Sequence, residues 1–335
     1  MKDKVSIPNL QHFSIEEKTE LDFDPPWPDR AHSFERQEAV AIQAALLSGR
    51  PLLVEGPPGS GKTQLAAAAA AVLGRELITF VVNSNTRPED LLWQYDALQR
   101  LNDAQADKLQ KIEKYLAKGP LWLALDGGDT YADIRSSTTI YKPKKGASAG
   151  KVVLIDEIDK ADRSVPNSLL EVLGHRRFYC PHLNEEIMAS EDRPLPLVVI
   201  TSNREQQLPP AFVRRCLALR IGLPNDQETF VEKLARRAKM HFGADLERIQ
   251  YKEIAEELWA WRQRYSSQSE ELQPGQAEYF DLVRAIARAL KQGLADEKRQ
   301  KRSFADLLRD MRGLAFDKQG LQDERGPRMD HDTTA

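Results

Sequence analysis

Residues 56 to 63 read Gly56-Pro57-Pro58-Gly59-Ser60-Gly61-Lys62-Thr63, set between an apolar run (Leu52, Leu53, Val54) and a helix-forming run that begins at Gln64. This stretch constrains the fold more than any other. A G-x-x-x-x-G-K-[ST] pattern cradles phosphate only when a strand delivers it and a helix leaves it. The glycines let backbone N–H groups turn inward, and the helix N-terminus adds positive potential. Lys62 is then placed to reach the β- and γ-phosphates, and the Thr63 hydroxyl to ligate Mg²⁺. Gly56 through Gln64 are the candidate nucleotide-binding residues.

The chain has 335 residues, 41% hydrophobic and 30% charged, enough for a sizeable core and two packed units. With 48 basic against 51 acidic residues, no global basic field points to nucleic acid or an anionic membrane. Cys180 and Cys216 stand apart without C-x-x-C spacing, which suggests a reducing compartment. No H-E-x-x-H is present and the histidines are scattered, so no dedicated zinc site is expected. No apolar signal core opens the chain, and no apolar run reaches the ~18 residues of a membrane helix. A cytoplasmic protein is expected.

Residues 1–33 are polar and proline-punctuated, and read as an arm leading to a first helix over 34–48 that stops at Gly49. After the phosphate loop a helix runs to Leu73, closed by Gly74. Leu77 to Val82 reads as a strand buried on both faces. Thr86-Arg87-Pro88-Glu89 predicts a helix start with a capping threonine and a glutamate three residues later. A charged amphipathic helix is expected over about 98–118, and a mobile loop over 126–150. Val152 to Ile155 and Leu197 to Thr201 are two more apolar strands, so the fold class is α/β, a parallel doubly wound sheet between helices. Beyond Pro224, the segments 227–241, 250–264 and 276–292 carry helical spacing alone. The expected organisation is an arm (1–33), an α/β nucleotide-binding domain (34–224), a small all-helical lid domain (225–317) and a disordered tail (318–335).

The run Val152 to Ile155 ends in Asp156-Glu157. A buried strand thus delivers two carboxylates at its C-terminal end, where open α/β sheets bind ligands. Asp156 suits Mg²⁺, directly or through water, and Glu157 suits a general base for the attacking water. That glutamate favours hydrolysis over transfer to a small molecule. The next strand ends in Ser202-Asn203, and Asn203 is expected between the other two strands, near the γ-phosphate or the lytic water. Downstream lie Arg214 and Arg215, either a surface pair or a source of trans-acting charge for the γ-phosphate.

In this order the elements resemble an AAA+ ATPase, specifically the MoxR family of the helix-2-insert clade. The resemblance covers about residues 34–224 and, more loosely, the lid to about 290. It rests on Ser48 to Leu53 leading into the loop (Walker A), Arg87-Pro88-Glu89-Asp90-Leu91-Leu92-Trp93, Gly119-Pro120-Leu121-Trp122, Asp156-Glu157 (Walker B) and Asn167 to Leu173. It implies a hairpin from His175 to about 190, Asn203 as sensor 1, ATP as the nucleotide, and a ring, usually hexameric, with ATP between subunits. The family's finger pattern falls on Arg215, with Arg214 where an aspartate is usual and Cys216 where an aromatic is. Arg215 is preferred and Arg214 stays open. The lid arginine of the family falls near Pro274 to Ala277, where this chain has Gln276, and the nearest arginine downstream is Arg284.

MoxR-like proteins remodel or activate a partner, often one with a von Willebrand A domain. By resemblance this chain is a remodelling ATPase acting on a separate protein. Contact surfaces would be the 126–150 loop (Lys142, Lys144, Lys145) and the hairpin around Arg176, Arg177 and Phe178. Two other readings are kept: a motor subunit of a nucleic-acid-acting complex, tracking phosphates with the same basic residues, and a slow nucleotide switch.

Overall fold

The computed structural model describes residues 10–26, 31–126, 138–144, 150–189, 193–264, 273–292 and 303–316. Its contacts divide the chain into two compact units. One comprises Met1–Gly56 with Gly61–Ile221, the other Pro57–Ser60 with Gly222–Ala335. Among the described residues no helix is long and apolar enough to cross a membrane.

The first unit is built on a seven-stranded sheet. In chain order its strands are β1 (Phe23–Asp24), β2 (Leu52–Glu55), β3 (Glu76–Val81), β4 (Thr138–Pro143), β5 (Lys151–Asp156), β6 (Leu197–Ser202) and β7 (Leu217–Arg220). They lie in the order β7-β2-β6-β5-β3-β4-β1. The five from β7 to β3 run parallel. Successive residues of each central strand serve two separate cores, as the pleat requires. Leu52, Val54, Val152, Leu154 and Val199 face one, and Leu53, Val153, Ile155, Val198 and Ile200 the other. A strand buried on both faces needs no polar alternation, which is why these runs read as continuously apolar.

Its helices are α1 (Arg36–Ser48), α2 (Lys62–Leu73), α3 (Ala97–Gln105), α4 (Pro120–Asp126), α5 (Ser164–His175) and α6 (Pro210–Val213). Helix α2 buries Leu65 and the run Ala66 to Ala70 against the first core. Alanine there lets the helix lie close to the sheet at no side-chain entropy cost. Helix α4, with Pro120 at its first position, and α5 contribute Leu121, Trp122, Val165 and Leu169 to the second core.

Four local expectations are corrected. The 126–150 stretch is not a loop throughout: β4 lies within it, antiparallel to β3, and β1 is antiparallel to β4. The sheet is therefore mixed at this edge. Only Thr138 of this strand, next to the edge strand β1, is buried, so Thr-Thr-Ile-Tyr-Lys-Pro lacks the apolar run of a central strand while keeping β-favouring side chains. Residues 127–137 and 145–149 lie outside the described residues. The helix expected over 98–118 ends at Gln105, followed by Asp107 at φ 53°, a left-handed position that aspartate tolerates. Leu116–Lys118 then forms a strand against Trp93–Tyr95. The turn at Thr86 to Glu89 is a single 3-10 turn, Pro88–Leu91, in which Arg87 N–H donates to Asp90 Oδ2 at 2.8 Å. The cap is thus one residue later than predicted. Finally, the segment ahead of residue 34 supplies core: Phe13, Leu21 and Phe23 are buried with Phe34.

The second unit holds α7 (Gln227–Phe242), α8 (Arg248–Arg264), α9 (Gln276–Lys291) and α10 (Phe304–Phe316). Asp226 caps α7, accepting from Thr229 N–H at 2.8 Å. The core is Phe230, Leu234, Tyr251, Ile254, Leu258, Tyr279, Val283 and Ile286, joined by Leu308 and Phe316 of α10. Sequence spacing located α7 to α9 and did not single out α10. The tail after residue 316 lies outside the described residues.

Ile78 of β3 is fully buried in the second core. Ile78→Ala should destabilise the α/β unit by about 2–5 kcal/mol and Ile78→Val by about 0.5–1.5 kcal/mol, read from urea unfolding midpoints. Equal losses from the two would mean that packing at this strand is not what holds the sheet.

Candidate functional site

Strand β2 ends at Glu55, and Gly56 N–H donates to Ser202 O at 3.3 Å, tying the entry of the phosphate loop to the end of β6. Gly59 and Gly61 have φ of 70° and 98°, in the left-handed region, and Gly61 directly precedes α2. A side chain at either would be strained. Lys62 is buried, and its Nζ donates to Gly56 O at 2.8 Å across the loop. Burial lowers its pKa from the ordinary value, opposed by the negative charges of Asp156, Asp159, Glu157 and Glu205. A desolvated ammonium recovers part of its lost hydration when a phosphate oxygen pairs with it. Gln64 holds the segment before α1, donating to Ala31 O at 3.0 Å.

Asp156 ends β5. Thr63 Oγ1 lies 3.1 and 3.0 Å from its two carboxylate oxygens and donates to it, joining α2 to β5. Thr201 of β6, fully buried, donates its hydroxyl to the same carboxylate and accepts from Glu157 N–H at 2.9 Å. The chain leaves β5 through Glu157 at φ 60°, rare for a non-glycine residue and costing on the order of 1–3 kcal/mol. The Glu157 side chain accepts from Asn203 Nδ2 at 3.2 Å and from Lys160 Nζ at 2.6 Å. Asn203 follows β6, which pairs with both β2 and β5, so the expected placement between those strands is what the register produces. Asp159, buried, accepts from Asn203 N–H at 3.3 Å and Glu205 N–H at 2.9 Å and fixes that turn.

Lys62, Thr63, Asp156, Glu157 and Asn203 are therefore brought together. Arg214 and Arg215 are not joined to them. Both are exposed just beyond α6, and Arg215 Nη1 makes only a 3.4 Å contact with Ala211 O. In the second unit, Arg284 pairs with Asp281 at 2.7 Å and lies over the Phe242 ring. The arginine that bonds Gln276 is Arg237 of α7. Thr201, Asp159, Lys160 and Arg237 escaped sequence reasoning. The one available signal was Thr201 at the end of an apolar strand, since burial is what marks Asp159 and packing of two helices what marks Arg237.

The basic surfaces look different in the fold. The hairpin is present, Arg177–Cys180 against Glu185–Met188. Phe178, however, is buried and stacked on Trp93 at 5.6 Å, which removes it as a contact residue. Arg177 pairs with Glu186 at 3.3 Å and Lys144 with Asp22 at 2.8 Å. Lys145 lies outside the described residues.

A parallel sheet with β6 between the loop strand and the acidic strand, and a polar cluster at their C-terminal ends, give this unit the P-loop AAA+ fold. Consistently, residues 51–216 match the family model of the AAA domain (dynein-related subfamily). Midasin of Giardia intestinalis is 28% identical over 200 residues, which span 57% of this chain and 3% of that protein. Among solved structures, Thermotoga maritima RuvB, a Holliday junction branch migration motor, is 16% identical with a TM-score of 0.43, over 83% of this chain and 67% of that one. A variant of it is 17% identical with a TM-score of 0.46, over 83% and 68%.

Replacing Thr201 by Val keeps its shape and leaves Glu157 N–H without its acceptor. An unsatisfied buried donor costs about 1–3 kcal/mol, so Thr201→Val should lose that much in urea unfolding without nucleotide. Thr201→Ser should stay within about 1 kcal/mol of wild type. A Val variant as stable as wild type would show that the hydroxyl is not what fixes Glu157.

Proposed function

We propose that this chain is a MoxR-like AAA+ ATPase that binds Mg-ATP, hydrolyses it and uses the cycle to remodel a separate protein. The observation that supports this best is the Glu157 carboxylate held by Asn203 beside the Thr63–Asp156 pair. A base, a polar residue that aims it and a hydroxyl–carboxylate pair are what nucleotide hydrolysis requires, and binding alone does not need the first two.

The donor set fits a hard divalent cation. Thr63 Oγ1 and an Asp156 oxygen are 3.0 Å apart, both oxygen donors of the kind magnesium prefers. Among the described residues no group of three or more His, Cys, Asp or Glu could hold a metal alone. Phosphate and water would complete the shell, as is usual for magnesium. When bound, the ion neutralises charge on the β- and γ-phosphates.

The remaining roles belong to the chain. Gly59 and Gly61 present backbone N–H groups to the phosphates, with Pro57 and Pro58, which have none to offer, stiffening the turn. Lys62 exchanges its bond to Gly56 O for phosphate oxygens. Glu157 accepts a proton from the attacking water, and Asn203 holds Glu157 and the water in line. Lys160 must yield its bond to Glu157 for the carboxylate to act as a base. Arg215, with Arg214 as the alternative, spreads γ-phosphate charge in the neighbouring subunit of a ring, usually hexameric in this family. The partner is a separate chain, by resemblance one with a von Willebrand A domain.

Glu157→Gln keeps the size of the side chain and one of its two acceptor oxygens while removing the base. ATP turnover should fall by about 10²–10⁴-fold, with ATP affinity in equilibrium dialysis within about threefold of wild type. Unchanged turnover would remove Glu157 from the reaction and sink the hydrolytic reading.

A further inference from the structure

Arg50 lies between Gly49, which ends α1, and the first residues of β2. Its guanidinium reaches forward across the fold to three consecutive backbone carbonyls. Nε donates to Arg215 O at 3.1 Å, and Nη2 donates to Arg214 O at 2.5 Å and to Cys216 O at 3.0 Å. These are the carbonyls where α6 ends and the chain turns into β7. The neighbouring backbone is tied down too, since Leu217 N–H donates to Pro51 O at 2.9 Å and β7 runs parallel to β2.

Carbonyls at the end of a helix have no partner within it, and a cation there is favourable. In an exposed turn, however, water can serve them. Here the partner brings a third positive charge to a turn that already carries Arg214 and Arg215. The rigid planar fork of arginine holds several acceptors in one fixed arrangement, which a lysine does not do. Cys216 locks the same turn from the inside, buried as a thiol whose pKa burial pushes up to about 12, only partly offset by the charge of Arg50. The backbone of 214–216 is thus fixed, while the side chains of Arg214 and Arg215 are left exposed.

We infer that Arg50 is a positioning residue for the arginine finger: by gripping the carbonyls of Arg214, Arg215 and Cys216 it sets the direction in which the finger leaves its subunit. This rests on the reading that the finger serves a neighbour's nucleotide. Arg50 touches no reacting atom. Because it sits at the start of the strand that ends in the phosphate loop, it also ties the finger offered to one neighbour to the strand that holds a subunit's own nucleotide.

The test is subunit mixing. An Arg50→Ala subunit keeps its own Lys62 and Glu157 and misdirects its finger. A Glu157→Gln subunit has an inactive site and a correct finger. Arg50→Ala alone should lose about 10- to 100-fold in turnover, the scale of a misplaced catalytic group, with ATP affinity within about twofold of wild type. Mixed with an excess of Glu157→Gln, it should regain most of the lost turnover per Arg50→Ala subunit, because its sites now receive a correct finger. The doubly substituted Arg214→Ala/Arg215→Ala chain mixed with Glu157→Gln is the control. If the control recovers and the Arg50→Ala mixture does not, Arg50 serves its own site and the inference is overturned while the shared-site reading stands. If neither recovers, the shared-site reading fails and takes the inference with it. Wild-type turnover by Arg50→Ala alone also overturns it. Arg50→Lys, which keeps charge and stem without the fork, replaces Arg50→Ala should the latter not fold, with the same loss expected.

Discussion

Two hydroxyls converge on one carboxylate, and the rest of the site hangs from that junction. Thr63 reaches Asp156 from the helix that follows the phosphate loop, and Thr201 reaches it from the middle strand of the three that build the site. Thr201 also takes the N–H of Glu157, so one side chain sets both carboxylates at the end of β5. Such a network holds position well because the Thr201 hydroxyl both donates and accepts and a charged acceptor strengthens the bonds it receives. The sheet makes it possible. With β6 paired to β2 on one side and β5 on the other, Asn203 and Thr201 enter between loop and acids.

The same geometry places opposing demands on Glu157. A general base must be free to take a proton, yet this one carries a bond from Lys160 and another from Asn203. Its backbone sits in a left-handed conformation that costs energy, which the bond from its N–H to Thr201 helps offset. Strain of this kind at a strand end persists where the surroundings over-determine it. In the proposed cycle, Asn203 aims the carboxylate and Lys160 is the contact that nucleotide has to displace.

Much of this was legible in the sequence where one local rule decides the outcome. The phosphate loop is set by glycines that alone tolerate the required φ, and β5 by a run of apolar residues ending in Asp156-Glu157. The helical unit was visible through α7 to α9, whose apolar spacing matches their period. The failures have a common cause, namely structure decided by a distant partner. The strand Thr138–Pro143 forms because β3 offers it an edge, and Leu116–Lys118 because Trp93–Tyr95 does. Phe178 looked like a surface aromatic until Trp93 and Trp122 packed around it. Arg237 cannot be linked to Gln276 without knowing how α7 and α9 pack. Arg50 carries no local mark within the run into the loop, since its three acceptors lie far along the chain.

What no single chain displays is the part on which the proposed cycle depends: Arg214 and Arg215 are exposed and joined to none of the site residues of their own subunit. ATP turnover per subunit, measured across protein concentration together with solution mass, tests this most directly. The account predicts negligible turnover for the monomer and a specific activity that rises in step with assembly. A specific activity independent of concentration, carried by a monomer, would show the site to be complete within one chain and would contradict it.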